Sequence, residues 1–433
     1  MLQLWLQDAG RAGGVGVDRA KVAELAAERI DWRFKALPSS AWGRTVAEYL
    51  AGGPTLDDFG TPLLTLDQGA LDHNLRTMAD WSAQAGAWLA PHGKTTMAPA
   101  LWQAQLDAGA WAITLANLSQ LHVARAFGVR RLVLANTLLD PHGLAWLARE
   151  LDSDPEFWFV CWVDSVAAVE QMDRALRAAG AQRPVDVLVE VGGPGGRTGV
   201  RDLDTGAAVA RAAAAAPTLR LTGLGGYEGV LAHDAGPAAL AKVERYLLAV
   251  RELHARLRDE QLLDQAEQVL LSAGGSSYFD QVVELLGAVP GTRLVLRSGA
   301  YLIHDDGLYH GLSPLARGAG GRPLRAAMHG WARVLSHPEP ELVLLDGGKR
   351  DFPFDEGLPT VQRTRAGRPL TGTVTGLNDQ HAYLRGSTAR IGEVVRLGLS
   401  HPCTAFDRWT MIPVVDDADA PNPRVVDLVR TFF

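Results

Sequence analysis

The sequence predicts an α/β fold in which a TIM-type (β/α)8 barrel is preceded by a helical extension and followed by a C-terminal β domain. From residue 61 to about residue 315, short β-rich runs alternate with longer amphipathic or alanine-rich segments, as in repeated βα units. Beyond residue 315 the helical period disappears, and strands separated by turns take over. A chain of 433 residues also exceeds what one hydrophobic core usually serves, which favours more than one domain.

Residues 1–60 are predicted to form the helical extension, since VDRAKVAELAAERIDWRF combines helical spacing with exposed charges. The stretch MLQLWLQDAGRAGG has neither the basic region nor the long apolar region of a signal peptide. No apolar run approaches the roughly 20 residues that span a bilayer. We therefore expect a cytoplasmic protein without a membrane partner.

Nine β-rich runs precede residue 315, whereas a closed barrel takes eight strands. The run at residues 62–67 is the natural outsider, because the helix after it would carry the chain from a flanking domain into the barrel. We place the barrel segment at residues 61–315 and the β domain at residues 316–433. The eight barrel strands are predicted to begin near Trp88, Trp111, Leu132, Phe157, Val185, Leu219, Val269 and Arg293.

The charge and the cysteine content argue against a nucleic-acid-binding protein and against a disulfide-rich one. The net charge of -7 is spread along the chain without a basic cluster, so a nucleic-acid partner is not expected. With two cysteines in the chain, a disulfide framework is excluded as an organising device. Cys161 lies in an apolar run and is predicted to be core, whereas Cys403 lies in a polar, proline-flanked segment that needs another explanation.

Lys94 ends the first barrel strand, in PHGKT, and the carboxyl ends of the strands form the working face of such a barrel. A lysine in a barrel mouth can have its pKa lowered enough to act as a nucleophile or base, as a Schiff-base lysine does. The alternative is a solvated loop lysine. The segment SAGGSS after the seventh strand offers small residues and hydroxyls for a phosphate, and its alternative is a plain strand-to-helix turn.

Two further candidates lie at the sixth strand and in the β domain. Arg197 follows the glycine run in VEVGGPGGRTGV and could fold over the barrel mouth to a cofactor's pyridine nitrogen, or form a surface salt bridge. His401 and Cys403 form a His-x-Cys pair of soft, zinc-favouring donors that leaves positions open for water and substrate. The alternative is a chance pairing. His381 is a candidate third ligand or a group that supports the ligands.

These motifs, in this order, resemble those of the pyridoxal-phosphate (PLP) enzymes of fold type III, which have an alanine-racemase-type N-terminal barrel. The resemblance is to the branch containing D-serine dehydratase, D-threonine aldolase and the bacterial amino acid deaminases. It covers about residues 60–433 and rests on PHGKTT, EVGGPGGRTGV, GLGGYEG, SAGGSS, RSGAYLIHDDGLY, NDQHAYL and SHPCTAFDRW.

The resemblance implies residue roles. Lys94 would form the Schiff base, Arg197 would lie near the pyridine nitrogen, and His401 and Cys403 would bind zinc or another divalent metal. The strand at residues 62–67 would join the β domain, and the protein would be a homodimer. The other residues expected around the cofactor are His92, Tyr227, Gly274, Gly275, Ser276, Ser277, Arg297, Gly299 and Tyr301.

The implied activity is that of a PLP- and zinc-dependent lyase, a dehydratase that converts a D-3-hydroxy amino acid such as D-serine or D-threonine to a 2-oxo acid and ammonia. Lys94 would remove the α-proton, and zinc would help to expel the β-hydroxyl. The alternatives are a metal-dependent D-threonine aldolase, a non-catalytic PLP carrier, and a racemase that needs no metal. The roles of His304, Asp305 and Asp306 stay open.

Overall fold

The computed structural model of the protein describes residues 16–433, so the first 15 residues of the predicted extension lie outside the described part. The rest of the extension is less helical than predicted. It contains two short helices, α1 (Arg19–Glu24) and α2 (Val46–Leu50), joined by turns and by a bridge between Arg29 and Thr45. Pro38 lacks an N–H donor and Gly43 has a φ of 82°, and neither feature is compatible with a continuous helix.

The barrel contains the eight parallel strands that the sequence predicted. β1 (Leu63–Asp67) and α3 (Gln68–Gln84) come before them. The strands are β2 (Trp88–Leu89), β3 (Ile113–Leu115), β4 (Arg131–Leu134), β5 (Trp158–Val163), β6 (Val185–Val191), β7 (Leu219–Gly226), β8 (Val269–Ala273) and β9 (Thr292–Leu296), and their order in the sheet is β2-β9-β8-β7-β6-β5-β4-β3. The helices between them are α4 (Pro99–Asp107), α5 (Leu118–Ala126), α6 (Pro141–Ser153), α7 (Val166–Ala178), α8 (Leu203–Ala215), α9 (Pro237–Asp259) and α10 (Phe279–Leu286).

The two end strands of this sheet, β2 and β3, meet through a short contact rather than a full ladder. His92 forms a parallel bridge with Thr114, and the Thr114 N–H donates to the carbonyl of Pro91 at 2.9 Å. The Trp111 N–H donates to the carbonyl of Leu89 at 2.7 Å. The ring of strands therefore closes immediately before Lys94.

The remaining strands form a separate nine-stranded sheet that includes β1. β1 pairs antiparallel with β10 (Met328–Glu339) and parallel with β16 (Met411–Val415), so the outsider strand does lie in this sheet. α11 (Leu308–Leu312) links the barrel to the sheet. The other elements are β11 (Leu342–Leu345), β12 (Thr360–Thr364), β13 (Thr373–Leu377), β14 (Ala382–Arg385), β15 (Val394–Gly398), α12 (Pro402–Phe406) and β17 (Val425–Arg430). The domain limits at residues 60 and 315 stay predictions.

Burial follows the expected pattern of an α/β barrel. The strands of the barrel are buried almost throughout, with Cys161 on β5 fully buried as predicted. In residues 16–433, no helix combines the length and apolar character needed to cross a membrane.

His329 on β10 is a buried polar residue of the β sheet. Its Nδ1 lies 4.0 Å from a carboxylate oxygen of Asp306 and has no hydrogen-bond partner among the described residues. Burial, together with the nearby guanidinium groups of Arg396 and Arg363, lowers the pKa of His329 to about 3, and the carboxylate of Asp419 opposes this shift. Between about pH 3 and pH 6.5, the folded protein therefore keeps this imidazole neutral, whereas an unfolded chain would protonate it.

We expect His329 to make the fold acid-sensitive. Because the pKa is lower in the folded than in the unfolded state, stability is fully present above pH 6.5 and falls as the pH drops from 6.5 towards 3, by about 2 kcal/mol at pH 5. Urea unfolding at pH 7.5 and pH 5 should show a smaller loss of stability in His329→Gln than in the unmodified protein. His337→Gln, an exposed change on the same strand, should behave like the unmodified protein, and an equal loss in all three would contradict this account.

Candidate active site

A cavity of about 640 Å³ lies at the carboxyl ends of the barrel strands, where the β domain covers them. Its walls come from β5 and from the segments that follow β2, β3, β4, β6, β7, β8 and β9. α11, the loop between β11 and β12, and the start of α12 with the residue before it complete the walls. The predicted site residues that line it are His92, Lys94, Arg197, Tyr227, Gly275, Ser276, Ser277, Arg297, Gly299, His401 and Cys403. The fold thus brings both halves of the predicted site into one space.

Lys94 lies in a single 3-10 turn, Gly93–Thr95, directly after β2. The indole N–H of Trp102 donates to the carbonyl of Gly93 at 3.1 Å and fixes this turn. A Cβ at Gly93 would lie 2.7 Å from Ile113 and 2.8 Å from the Trp102 indole nitrogen, so the turn requires glycine. The lysine therefore has a defined place in the wall of the cavity.

The pKa of Lys94 is lowered from its ordinary value, chiefly by burial. The thiol of Cys403 opposes this shift, and the guanidinium groups of Arg197 and Arg297 add to it. A larger fraction of neutral amine makes this lysine a better nucleophile and base than an exposed one. The alternative of a solvated loop lysine does not describe this position.

His92 stands next to the lysine with its Nδ1 buried and without a hydrogen-bond partner among residues 16–433. Burial and the neighbouring Lys94 hold the pKa of His92 well below its usual value, so the ring is neutral. Gly299 allows the close approach of the next segment, because a Cβ there would lie 2.6 Å from His92. An aromatic, uncharged surface results beside Lys94.

The SAGGSS turn after β8 differs from the prediction in one respect. The N–H groups of Gly274 and Gly275 donate to the carboxylate of Glu228, at 3.0 and 2.7 Å, and are therefore already engaged by an anion of the protein itself. The hydroxyls of Ser276 and Ser277 line the cavity. Gly274 does not line the cavity, and the N–H of Gly275 is used by Glu228, so the groups of this turn that could donate to a phosphate are the hydroxyls of Ser276 and Ser277.

The two arginines have different environments. Arg297 is buried and donates to Ser272 Oγ at 2.7 Å and to the carbonyl of Gly226 at 2.5 Å. Arg197 is exposed and lies over the ring of Tyr227, 5.3 Å from its centroid. Arg197 thus lines the cavity beside Tyr227, and its role at a pyridine nitrogen stays a prediction.

His401 and Cys403 are close enough to interact, and each affects the other's protonation. Burial lowers the pKa of His401, but the partners Cys403 and Asp355 outweigh burial and raise it to about 9. Burial raises the pKa of Cys403, but His401, Thr95 and Lys94 outweigh it and lower that pKa. The Sγ of Cys403 lies 3.4 Å from Oγ1 of Thr95, the residue next to Lys94. The thiol thus connects the β domain to the lysine turn.

Besides Gly274, two further predicted site residues do not reach the cavity. His381 is exposed in the turn between β13 and β14, where its carbonyl accepts from the N–H of Asn378, and it does not line the cavity. Its role as a ligand stays a prediction. Tyr301 is buried, and its hydroxyl interacts with Gln105 rather than with the cavity. A residue's presence in a motif did not reveal which way its side chain would point.

Other residues of the site were missed. Tyr309 lines the cavity, and burial together with Tyr227 and Cys403 raises its pKa well above the ordinary value. Glu356 also lines the cavity. Asp305, left open in the sequence, accepts hydrogen bonds from the backbone N–H groups of Tyr309 at 2.8 Å and His401 at 2.9 Å, and burial raises its pKa to about 6. The segment RSGAYLIHDDGLY contains Asp305 and Tyr309, and this motif was the signal in the sequence that could have pointed to them.

The sequence matches two known domain families, the alanine racemase N-terminal domain over residues 66–281 and the putative serine dehydratase domain over residues 327–415. It is 30% identical to a D-threonine aldolase of an Arthrobacter species over 371 residues, which are 84% of this chain and 91% of that protein. The chain belongs to the fold-type III family of PLP-dependent lyases.

Two solved structures of this family resemble the protein closely. The D-threonine aldolase from Filomicrobium marinum has a TM-score of 0.72 at 26% identity, over 88% of this chain and 97% of that chain. The D-threo-3-hydroxyaspartate dehydratase from Delftia sp. HT23 has a TM-score of 0.70 at 22% identity, over 87% and 99%. Structures of that dehydratase include a histidine-to-alanine variant and, two positions further on, a metal-free cysteine-to-alanine variant.

The cavity of this fold-type III enzyme fits PLP. A flat ring fits against the neutral His92, whose Nδ1 lacks a partner among the described residues, and a phosphate fits at the hydroxyls of Ser276 and Ser277. At Gly275 a Cβ would lie 2.6 Å from the Tyr227 ring, so the backbone itself forms the wall. Lys94 lies in the same wall and has the amine that the cofactor's aldehyde needs.

A metal ion also fits this enzyme, at His401 and Cys403. Imidazole and thiolate suit zinc. In residues 16–433, no group of three or more His, Cys, Asp or Glu side chains is arranged around a common point to hold an ion. An ion held by His401 and Cys403 would therefore need water or substrate as its other ligands.

We expect Gly93→Ala to damage the lysine turn. The added methyl would overlap Ile113 and the Trp102 indole, so the free energy of unfolding should fall by about 1–3 kcal/mol and PLP should bind less tightly. Chemical unfolding and PLP absorbance after gel filtration would measure both. Gly376→Ala is the control, because a Cβ there meets nothing within 4 Å and should change stability by less than about 0.5 kcal/mol. Equal effects of the two changes would contradict the assignment.

Proposed function

We propose that this enzyme is a PLP- and zinc-dependent dehydratase that converts a D-3-hydroxy amino acid of the D-serine or D-threonine type to a 2-oxo acid and ammonia. The observation that carries the proposal is the placement of Lys94 and the pair His401 and Cys403 in the walls of one cavity. A base for the α-proton and donors for a metal at the β-hydroxyl are then available to the same small substrate.

The roles of the side chains follow from their positions. Bound PLP stabilises negative charge at the α-carbon of an amino acid, and a bound divalent ion acts as a Lewis acid on a hydroxyl. The Nζ of Lys94 would hold the cofactor's aldehyde carbon and, once released from it, accept the α-proton. Ser276 and Ser277 would bind the phosphate, and Arg197 would donate to the pyridine nitrogen. The net reaction loses ammonia from the amino acid and conserves the remaining atoms in the 2-oxo acid.

The choice of a dehydratase rests on the metal donors. The structures of D-threo-3-hydroxyaspartate dehydratase include alanine variants of a histidine and of a cysteine two positions further on, and the structure of the cysteine variant is a metal-free form. His401 and Cys403 have the same spacing. A thiolate and an imidazole would hold zinc with open positions for a substrate hydroxyl.

An aldolase is the second candidate, and the sequence relatives favour it. The D-threonine aldolase of Arthrobacter and a 3-hydroxy-D-aspartate aldolase of Paracoccus denitrificans, 28% identical over 305 residues, carry this activity in their names. The same metal could promote loss of the hydroxyl proton and cleavage between the α- and β-carbons. We also propose a cytoplasmic homodimer, on the resemblance to the family alone.

Product analysis decides between the two reactions. The purified protein with PLP and zinc would be incubated with D-threonine, with and without a chelator, and the products identified by NMR. We expect 2-oxobutanoate and ammonia, lost on chelation and absent in Lys94→Ala. Glycine and acetaldehyde would contradict the dehydratase and establish the aldolase. Turnover that ignores the chelator would contradict the metal, and no product from D-threonine, D-serine or larger 3-hydroxy amino acids would favour the carrier.

Cys403→Ala separates metal binding from cofactor binding. The thiolate is one of the two proposed protein ligands, and changes to residues that only support a metal ligand cost roughly 10- to 100-fold. Loss of the thiolate should therefore lower turnover by more than that, while the absorbance of bound PLP stays the same. Cys161→Ala, a change at the buried core cysteine, is the matched control and should leave the metal content unaltered. A Cys403→Ala protein with unchanged zinc content would contradict the role of the thiol.

A further inference from the structure

The side chain of Asp355 makes a contact with His401 that no motif of the sequence announced. Asp355 lies in the loop between β11 and β12, and its Oδ2 accepts a hydrogen bond from Nδ1 of His401 at 2.6 Å. The hydroxyl of Thr404 donates to its other oxygen, Oδ1, at 2.7 Å. Both oxygens of this carboxylate are therefore used to hold it against the imidazole.

Glu356, the residue after Asp355, also anchors this loop. The hydroxyl of Ser400 donates to the carbonyl of Glu356 at 2.6 Å, so the segments on either side of the His401 ring are joined twice. The backbone of His401 has a left-handed φ of 51°, a conformation that a non-glycine residue adopts only when its surroundings impose it. The N–H of His401 donates to Asp305, which supplies that constraint.

The hydrogen bond from Nδ1 to Asp355 determines which nitrogen of His401 is available to bind a metal ion. A neutral imidazole has one N–H and one lone pair, and donation from Nδ1 to a carboxylate leaves the lone pair on Nε2. The carboxylate also makes the imidazole a stronger donor to a metal ion. We propose that Asp355 is a positioning residue that presents Nε2 of His401, rather than Nδ1, to the metal ion. This inference rests on the proposed metal site at His401 and Cys403.

A purely structural contact would give a different result from a positioning one. If Asp355 only held its loop, its loss would lower stability and leave the affinity for metal unchanged. Asp407 provides the matched comparison, because it is an exposed carboxylate close to the same histidine in the chain, and it pairs with Arg408 at 2.8 Å instead of with the ring. Asp355→Asn and Asp407→Asn remove the same charge, and the former also alters the ring's hydrogen bond.

The experiment measures zinc affinity of the PLP-loaded full-length protein by competition with a chromophoric chelator. We expect Asp355→Asn to weaken zinc binding by about 10- to 100-fold and Asp407→Asn by less than about 3-fold. With Co²⁺ in place of zinc, the thiolate charge-transfer band should persist in Asp355→Asn, because Cys403 is intact. Thermal unfolding and PLP absorbance would verify that both variants fold.

Other outcomes overturn the proposal. Zinc affinity of Asp355→Asn within about 3-fold of the unmodified protein, or an equal loss in Asp407→Asn, would show that no specific positioning occurs. If Asp355→Asn does not fold, Thr404→Val removes the hydroxyl that holds the carboxylate and should weaken binding by a smaller factor, and an unchanged affinity there would contradict the proposal. If the unmodified protein binds no zinc, the metal site itself fails, which is distinguishable from a failure of Asp355 alone.

Discussion

The active site depends on one buried carboxylate at the junction of the two domains. Asp305, just after the barrel, accepts hydrogen bonds from the N–H groups of Gly307 at 3.1 Å, Tyr309 at 2.8 Å and, across the junction, His401 at 2.9 Å. Charge-assisted hydrogen bonds of this kind are roughly twice as strong as neutral ones. Through Asp305, the segment that leaves the barrel is joined to the segment that contains His401 and Cys403, and both are held over the barrel mouth. The contact of the Cys403 Sγ with Oγ1 of Thr95, at 3.4 Å, is a second link between the β domain and the turn that contains Lys94.

The architecture was predictable because it follows from local patterns. The barrel strands are short apolar runs, and the helices that follow β3, β4, β5 and β6 begin with a side-chain cap. Parallel strands of this kind lead to one working face. The strand at residues 62–67 was recognisable as extra by counting, and the family resemblance implied that it joins the β domain. Its pairing with β10 is seen in the structure. The extension was harder, since its helical spacing continues through Pro38 and Gly43, where the backbone turns.

The active site was predictable where the motif includes the reacting group and not where the geometry depends on distant partners. Lys94 and Cys403 could be chosen because their chemistry is unusual for a strand end and a proline-flanked loop. The hydrogen bonds from the Gly274 and Gly275 N–H groups to Glu228 could not be predicted, because they join residues that are 46 and 47 positions apart in the sequence. The orientation of Tyr301 away from the cavity could not be predicted either, because the packing of the barrel determines it.

The central claim is that one cavity contains both the lysine and the metal, and anomalous diffraction at the zinc edge tests it most directly. Crystals of the PLP-loaded enzyme grown with zinc should show a peak bonded to Nε2 of His401 at about 2.0–2.1 Å and to Sγ of Cys403 at about 2.3 Å, in the cavity that contains Lys94. A cavity with PLP on Lys94 and no anomalous peak at these two residues would contradict the account, as would zinc bound at another place.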